Sequence, residues 1–320
     1  MTAATARAHP NIALVKYWGK RDRALNLPAV PSLSLTLDRF RTRTTVVWGV
    51  EADSVELDGA LAPAPAAARV LAFLELVDPR RPPCRVISES NFPVAAGLAS
   101  SSSAFAALAL AASAAAGHDT EPTALSLLAR RGSGSACRSL WGGFVEWPLG
   151  ERSDGADCHA RPLAPPDHWD VAMVVAIASG APKPVGSRDA MEHARRTSPY
   201  YATWVQTAAD DFAGARAAVL ARDLQHLGEV MEASTHKMHA TLHTARPPVL
   251  YQVPATIACL HEVRALRQRG TGAWATMDAG PNVKVLCHRS DAAEVAAGLS
   301  PHVAHIEVLR PGGDPALEPR

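Results

Sequence analysis

Residues 91–104 read NFPVAAGLASSSSA and run without a break into an alanine- and leucine-rich stretch that stops at Gly117. Alanine and leucine favour helix and a glycine ends one readily, so residues 101–116 are expected to be helical. A glycine and a run of serine hydroxyls then stand at the helix N-terminus. There the first backbone N–H groups lack helical partners and the positive end of the dipole faces outward. Such an end accepts a phosphate. The same residues also describe a serine-capped helix packed closely through small side chains, and the segment alone does not choose between the two. No Gly-Lys-Ser/Thr follows, so this is not a Walker A loop, and any nucleotide would be held without that lysine.

Phosphate binding needs positive charge, and the chain carries almost no net excess of it. Its 320 residues carry 32 Lys+Arg against 31 Asp+Glu, a net charge of +1, with 48% hydrophobic residues. No basic face or block is present of the kind that meets nucleic acid or anionic lipid, which favours a small-molecule substrate. Only five of the basic residues are lysine, at positions 16, 20, 183, 237 and 284. The five cysteines (Cys84, Cys137, Cys158, Cys259, Cys287) are scattered and form no C-x-x-C pair, so reduced structural thiols are expected. The first twenty residues hold no apolar core of signal-peptide length, and residues 104–117 are too short and alanine-rich to span a bilayer. A soluble cytoplasmic protein is expected.

Along the chain, residues 32–38 (SLSLTLD) alternate polar and apolar side chains and residues 44–50 are β-branched and aromatic, which predicts an antiparallel pair. Residues 85–88 predict a strand, as does the apolar run 170–178. Helical spacing marks 198–220, 223–243 and 254–268, and strand-like runs at 274–277 and 283–286 flank an Ala-Gly-Pro-Asn turn at 279–282. Loops or termini are expected at 61–68, 162–168 and in the PGGDPALEPR tail. This irregular interleaving implies an α+β fold of two lobes, with a boundary in the Gly/Pro/Lys loop at 180–186, giving domains 1–180 and 181–320.

Three further segments carry chemistry. In GSGSACRSLWGGFVEW (132–147), Ser133, Ser135 and Arg138 offer short donors and a forked guanidinium for a phosphate or carboxylate; a flexible glycine–serine turn with a surface arginine is the plainer alternative. In NIALVKYWGKRD (11–22), Lys16 follows an apolar run, a place where lysine usually snorkels. In MDAGPNVK (277–284), Asp278 enters a Gly-Pro turn, where aspartate most often serves the turn itself. His236, His239 and His243 share one face of the helix expected at 223–243, but no carboxylate joins them, and ordinary structural histidines are expected.

Taken in order, NIALVKYWGKRD, LPAVPSLSLTLD, NFPVAAGLASSSS, GSGSACRSLWGGFVEW, HKMHATLHTARPP and MDAGPNVKVL resemble the signature segments of the diphosphomevalonate decarboxylases, a family of the GHMP kinase superfamily. The resemblance covers about residues 9 to 290. It implies an N-terminal lobe like the second domain of ribosomal protein S5, a ferredoxin-like C-terminal lobe, and an active site between them. It also implies ATP as co-substrate, Mg2+, and a homodimer. The implied reaction phosphorylates the 3-hydroxyl of 5-diphosphomevalonate and then releases phosphate and CO2 to give isopentenyl diphosphate.

By the same resemblance, Asp278 would orient the 3-hydroxyl and accept its proton, Lys16 would keep Asp278 ionised, and Arg138 would hold the substrate carboxylate. Asn11 would support that arginine, while Tyr17, Lys20, Ser133 and Ser135 would hold the diphosphate and polar groups. Gly97, Leu98, Ala99, Ser100, Ser101 and Ser102 would cradle the ATP phosphates, and Ser90 and Asn91 would lie toward adenosine. No carboxylate pair identifies Mg2+ ligands. In KPVGSRDAM (183–191), Ser187 and Arg188 match a substrate loop, but the family's V-S-S has become Val185-Gly186-Ser187. That lost hydroxyl keeps two alternatives in view, a decarboxylase of 5-phosphomevalonate and a mevalonate 3-kinase that does not decarboxylate. A GHMP-fold binding protein without activity would instead show decay of the phosphate loop or loss of Asp278.

Overall fold

The alternation in Thr42–Trp48 puts Thr42, Thr44, Val46 and Trp48 on one buried face. In the computed structural model, which describes residues 1–92, 100–181 and 183–319, this strand pairs antiparallel with Thr2–Ala8 on one side and Cys84–Ser90 on the other. They are the centre of a six-stranded sheet completed by Ala316–Leu317, Ser54–Leu57 and Ala60–Leu61. Against it lies helix Ser100–Ala116, whose alanines at 106, 107, 109, 111 and 112 pack with Ala6, Ala8, Val46 and Trp48. Small side chains let this helix be buried nearly all round, with Phe73 and Leu74 of helix Ala64–Val77 and Leu125 of helix Pro122–Gly132 in the same core.

A second, four-stranded sheet runs Arg161–Ala164, Phe144–Trp147, Ser32–Thr36, Asn11–Val15. The expected pairing of 32–38 with 44–50 is therefore wrong: Ser32–Thr36 pairs with Asn11–Val15 and Phe144–Trp147, in a different sheet from Thr42–Trp48. The strand patterns were local, but their partners are distant in sequence and only the packed core selects them. Residues 61–68 are likewise not all loop, since helix Ala64–Val77 starts among them with a proline in its first turn, where a missing N–H costs nothing. Part of 162–168 is strand, and the tail pairs back onto Thr2–Ala8. Gly312 donates to the Thr36 carbonyl at 2.8 Å; a Cβ there would lie 2.2 Å from the Leu37 oxygen, so the close approach requires glycine.

The third sheet, also antiparallel, runs Ala273–Met277, Val283–His288, Val171–Ile177, His305–Leu309. Helices Pro254–Gln268 and Ala292–Leu299 cover one face through Cys259, Val263, Leu266, Val295 and Leu299. The expected boundary at 180 falls just after Val171–Ile177, whose ladder partners both lie in the C-terminal part. The other face meets the second sheet: Ile12, Leu14, Leu33 and Leu35 share a core with Met173, Val175 and Leu286, and with Leu227 and Met231 of helix Leu224–His243. Strand ends from both parts of the chain thus converge on one region. No described helix is long and apolar enough to cross a membrane.

Candidate active site

Strand Asn11–Val15 pairs Ala13 with Ser34 but Val15 with Leu33, so an extra residue bulges between them. A bulge bends a strand and re-aims the next side chain. Lys16 consequently turns inward, only 1% exposed, and its ammonium donates to the Ala13 carbonyl at 2.7 Å and to Asp278 Oδ1 at 2.8 Å. Asp278 follows strand Ala273–Met277, and the ensuing turn brings Lys284 back beside it, Nζ 3.2 Å from Oδ2. Burial would raise the Asp278 carboxyl, but Lys16 and Lys284 outweigh it and hold the group well below the usual carboxylate range. Burial pushes the Lys16 ammonium down to about 8 against the upward pull of Asp278.

Arg138 sits on the 3-10 helix Gly134–Leu140, buried, where a flexible surface turn was the plainer expectation. Its Nε and Nη2 donate to Asn11 Oδ1 at 3.2 and 3.1 Å, and Nη1 donates to Ser32 Oγ at 2.6 Å. Asn11 is fixed in turn, donating through Nδ2 to Ser139 Oγ at 2.7 Å and to the Ser135 carbonyl at 3.0 Å. Burial lowers the guanidinium, with Asp278 among the groups that draw it back. Ser133 Oγ lies 3.2 Å from Ser101 Oγ and 3.5 Å from Ser135 Oγ, so hydroxyls from two motifs form one row. The Tyr17 hydroxyl is buried with no hydrogen-bond partner among the described residues, its ring 5.0 Å from that of Trp147, and burial raises it.

Beyond this cluster, Lys20, Arg23, Arg131, Arg188 and Arg195 line a cavity of about 160 Å³ with Asn26, Met191 and Glu192. Burial, with Arg188, Arg23 and Arg69 nearby, pushes the Lys20 ammonium down to about 8. Arg69 and Arg188 both donate to the Gly132 carbonyl, at 2.8 and 3.4 Å. Lys183 Nζ donates to Ser187 Oγ at 2.6 Å and to the Ala279 carbonyl at 3.1 Å, tying the 183–191 segment to the turn after Asp278. A nearly neutral chain thus concentrates a cluster of cations here.

On the expected nucleotide side, Gly97, Leu98 and Ala99 lie outside the described residues. Ser100, Ser101 and Ser102 open helix Ser100–Ala116. Ser102 Oγ accepts the Asn11 backbone N–H at 3.3 Å, so this serine joins the helix to the Arg138 support. Ser90 Oγ lies 3.0 Å from Thr42 Oγ1, which reaches Ser103 Oγ at 2.7 Å. Asn91 is bonded to the backbone of Arg39 and Arg41. Sequence reasoning assigned nothing to Lys284, Lys183, Arg69 or Ser32. The scarcity of lysine was the available signal for the first two, since four of the five lysines now stand at this site. His239 and His243 both bond Gln252, and among the described residues no group of three or more His, Cys, Asp or Glu could hold a metal ion.

Family models match both parts of the chain: a diphosphomevalonate decarboxylase-like N-terminal domain over residues 8–160 and a mevalonate 5-diphosphate decarboxylase C-terminal domain over residues 173–309. The chain is 38% identical to the diphosphomevalonate decarboxylase of Aspergillus fumigatus, covering 92% of this chain and 79% of that one. Among solved structures it is similar to mevalonate diphosphate decarboxylase from Staphylococcus aureus, at 36% identity and a TM-score of 0.93 over 99% of this chain and 98% of that one. It is similar also to "MDDEF in complex with MVAPP, AMPPCP and Magnesium", at 39% identity and a TM-score of 0.93 over 99% of both chains.

Proposed function

The chain belongs to the diphosphomevalonate decarboxylase family, and from that premise we propose how its cleft divides the work. The protein is an ATP-dependent decarboxylase with the GHMP kinase-type fold: it takes 5-diphosphomevalonate to isopentenyl diphosphate, ADP, phosphate and CO2, by way of the 3-phosphorylated intermediate.

The observation that carries the residue assignment is the Asp278 carboxylate held between two buried ammoniums, at 2.8 and 3.2 Å. A carboxylate that acidic is a weak base, so Asp278 chiefly orients the 3-hydroxyl and receives its proton as the O–P bond forms. A loose phosphoryl-transfer transition state requires no more. Lys16 keeps Asp278 ionised. Arg138, locked in orientation by Asn11 and Ser32, holds the substrate carboxylate. The electrons of the bond to that carboxylate then become the new double bond as the 3-phosphate leaves with its oxygen.

Lys20, Arg188 and the other cations around the cavity receive the diphosphate, with Tyr17, Ser133, Ser135 and Ser187 as hydroxyl donors; that concentration of charge suits a diphosphate better than a monophosphate. Ser100, Ser101 and Ser102, with Gly97, Leu98 and Ala99, take the ATP phosphates, and Ser90 and Asn91 face adenosine. Mg2+, when bound, neutralises the triphosphate. Among the described residues no cluster of carboxylates would hold it, so phosphate oxygens would supply most of its ligands, with the Ser100 and Ser101 hydroxyls as the protein groups beside those phosphates. Residues 1–180 and 181–320 as separate lobes, a homodimer and a cytoplasmic location belong to the same proposal, and sedimentation at micromolar concentration tests the dimer. For the site itself, single-turnover quenching of Arg138→Gln should slow CO2 release more than ADP formation; equal slowing of both would remove Arg138 from the carboxylate.

A further inference from the structure

Helix Leu224–His243 comes from the C-terminal part of the chain, yet two adjacent residues on its buried face reach both ends of the reactive ion pair. The Ser234 hydroxyl accepts the Lys16 backbone N–H at 3.0 Å. The Thr235 hydroxyl lies 3.0 Å from that of Thr276, two positions before Asp278. Thr276 Oγ1 also lies 3.5 Å from the Ala13 carbonyl, the same oxygen that accepts the Lys16 ammonium. Ser234, Thr235 and Thr276 are at most 1% exposed, and the hydroxyl of each is engaged by groups of the protein itself.

The arrangement answers a need created by the bulge at Ala13–Val15. There the chain leaves its ladder, and the Lys16 N–H takes the Ser234 hydroxyl as its partner. A lysine side chain is long and flexible, so the position of its ammonium depends on how firmly its main chain is held.

We propose that Ser234 and Thr235 are positioning residues, which clamp the Lys16 main chain and the strand end carrying Asp278 from one helix face and so set the geometry for phosphoryl transfer. The proposal rests on the roles assigned above to Lys16 and Asp278. Removing the Ser234 oxygen leaves a buried N–H without its partner, and the chain at Lys16 shifts to find another. Four groups face Lys16: Asp278 and Lys284 from the third sheet, Arg138 from the 3-10 helix, and His239 from the clamping helix, kept neutral by burial.

The test is the steady-state kinetics of full-length Ser234→Ala, Thr235→Val, Thr235→Ser and Lys16→Met across pH, with Tm alongside. Ser234→Ala and Thr235→Val should lower kcat about ten- to a hundredfold while KM for both substrates stays within about threefold. The basic limb of kcat/KM should move to lower pH, because an ammonium drawn away from Asp278 loses the charge that supports it. Thr235→Ser should behave as the unmodified protein. Unchanged kcat and an unmoved limb in both clamp variants, with Lys16→Met inactive, would overturn the clamp. So would a fall in Tm alone. Activity retained in Lys16→Met would remove the site assignment, and the clamp with it.

Discussion

Asp278→Asn removes a carboxylate shared by two buried ammoniums, Lys16 Nζ at 2.8 Å and Lys284 Nζ at 3.2 Å. Unit charges 4 Å apart interact by about 4 kcal/mol at an effective dielectric near 20, and breaking a buried pair from one side costs about 3–5 kcal/mol. Two features of the site reduce that cost. Asp278 is 21% exposed, and Lys16, already at about 8, sheds its proton near neutral pH once the carboxylate is gone. The expected stability loss is therefore about 1–3 kcal/mol. The rate has no such relief, because the variant loses both the group that orients the hydroxyl and the charge that kept Lys16 protonated. A positioned acid–base group contributes about 10²–10⁴-fold, or about 2.7–5.4 kcal/mol of barrier. ADP release at saturating ATP and a thermal melt measure the two quantities separately, and equilibrium dialysis checks that ATP still binds. A folded variant that binds ATP and turns over within about tenfold of the unmodified protein would refute the reasoning.

Other outcomes follow from the same geometry. Arg138→Lys keeps the charge but not the fork that bonds Asn11 and Ser32, so kcat/KM should fall about a hundredfold, and near-normal kcat/KM would show that a point charge suffices. Lys20, pushed down to about 8 by burial and then by Arg188, loses its charge as pH rises through that value. The basic limb of kcat/KM should accordingly be shallower in Lys20→Arg, which stays charged; an identical limb would exclude Lys20 as a titrating group. Gly134→Ala places a Cβ 2.5 Å from the Tyr17 hydroxyl and must displace that buried ring, so KM for the diphosphate substrate should rise about tenfold with a modest fall in Tm, and an unchanged KM would detach Tyr17 from the substrate.

The sequence carried these residues unevenly. Segments whose fold is dictated locally were legible: the alanine-rich helix at Ser100–Ala116, the apolar strand at Val171–Ile177 and the hairpin around Asp278 all follow from propensity and turn chemistry. Pairing was not, because Ser32–Thr36 and Thr42–Trp48 belong to different sheets whose other strands lie far away in the chain. Asp278, Lys16 and Arg138 were found through motifs, yet their contact spans separations of 262 residues for Lys16–Asp278 and 127 for Arg138–Asn11, which no local pattern encodes. Lys284 was missed for a different reason. In a strand that reads as apolar its lysine looks like an edge residue, and only the register opposite Thr276 turns it toward Asp278. The clamp hydroxyls Ser234 and Thr235 carry no sequence signal, since buried serines and threonines in helices are ordinary.

Whether the cleft carries phosphoryl transfer through to decarboxylation, and on which substrate, is settled most directly by incubating the protein with ATP and Mg2+ and each of mevalonate, 5-phosphomevalonate and 5-diphosphomevalonate, while following ADP and CO2 together. The structure predicts ADP and CO2 in equal amounts from the diphosphate, with the other two compounds far slower. ADP without CO2, or CO2 mainly from the monophosphate, would contradict it.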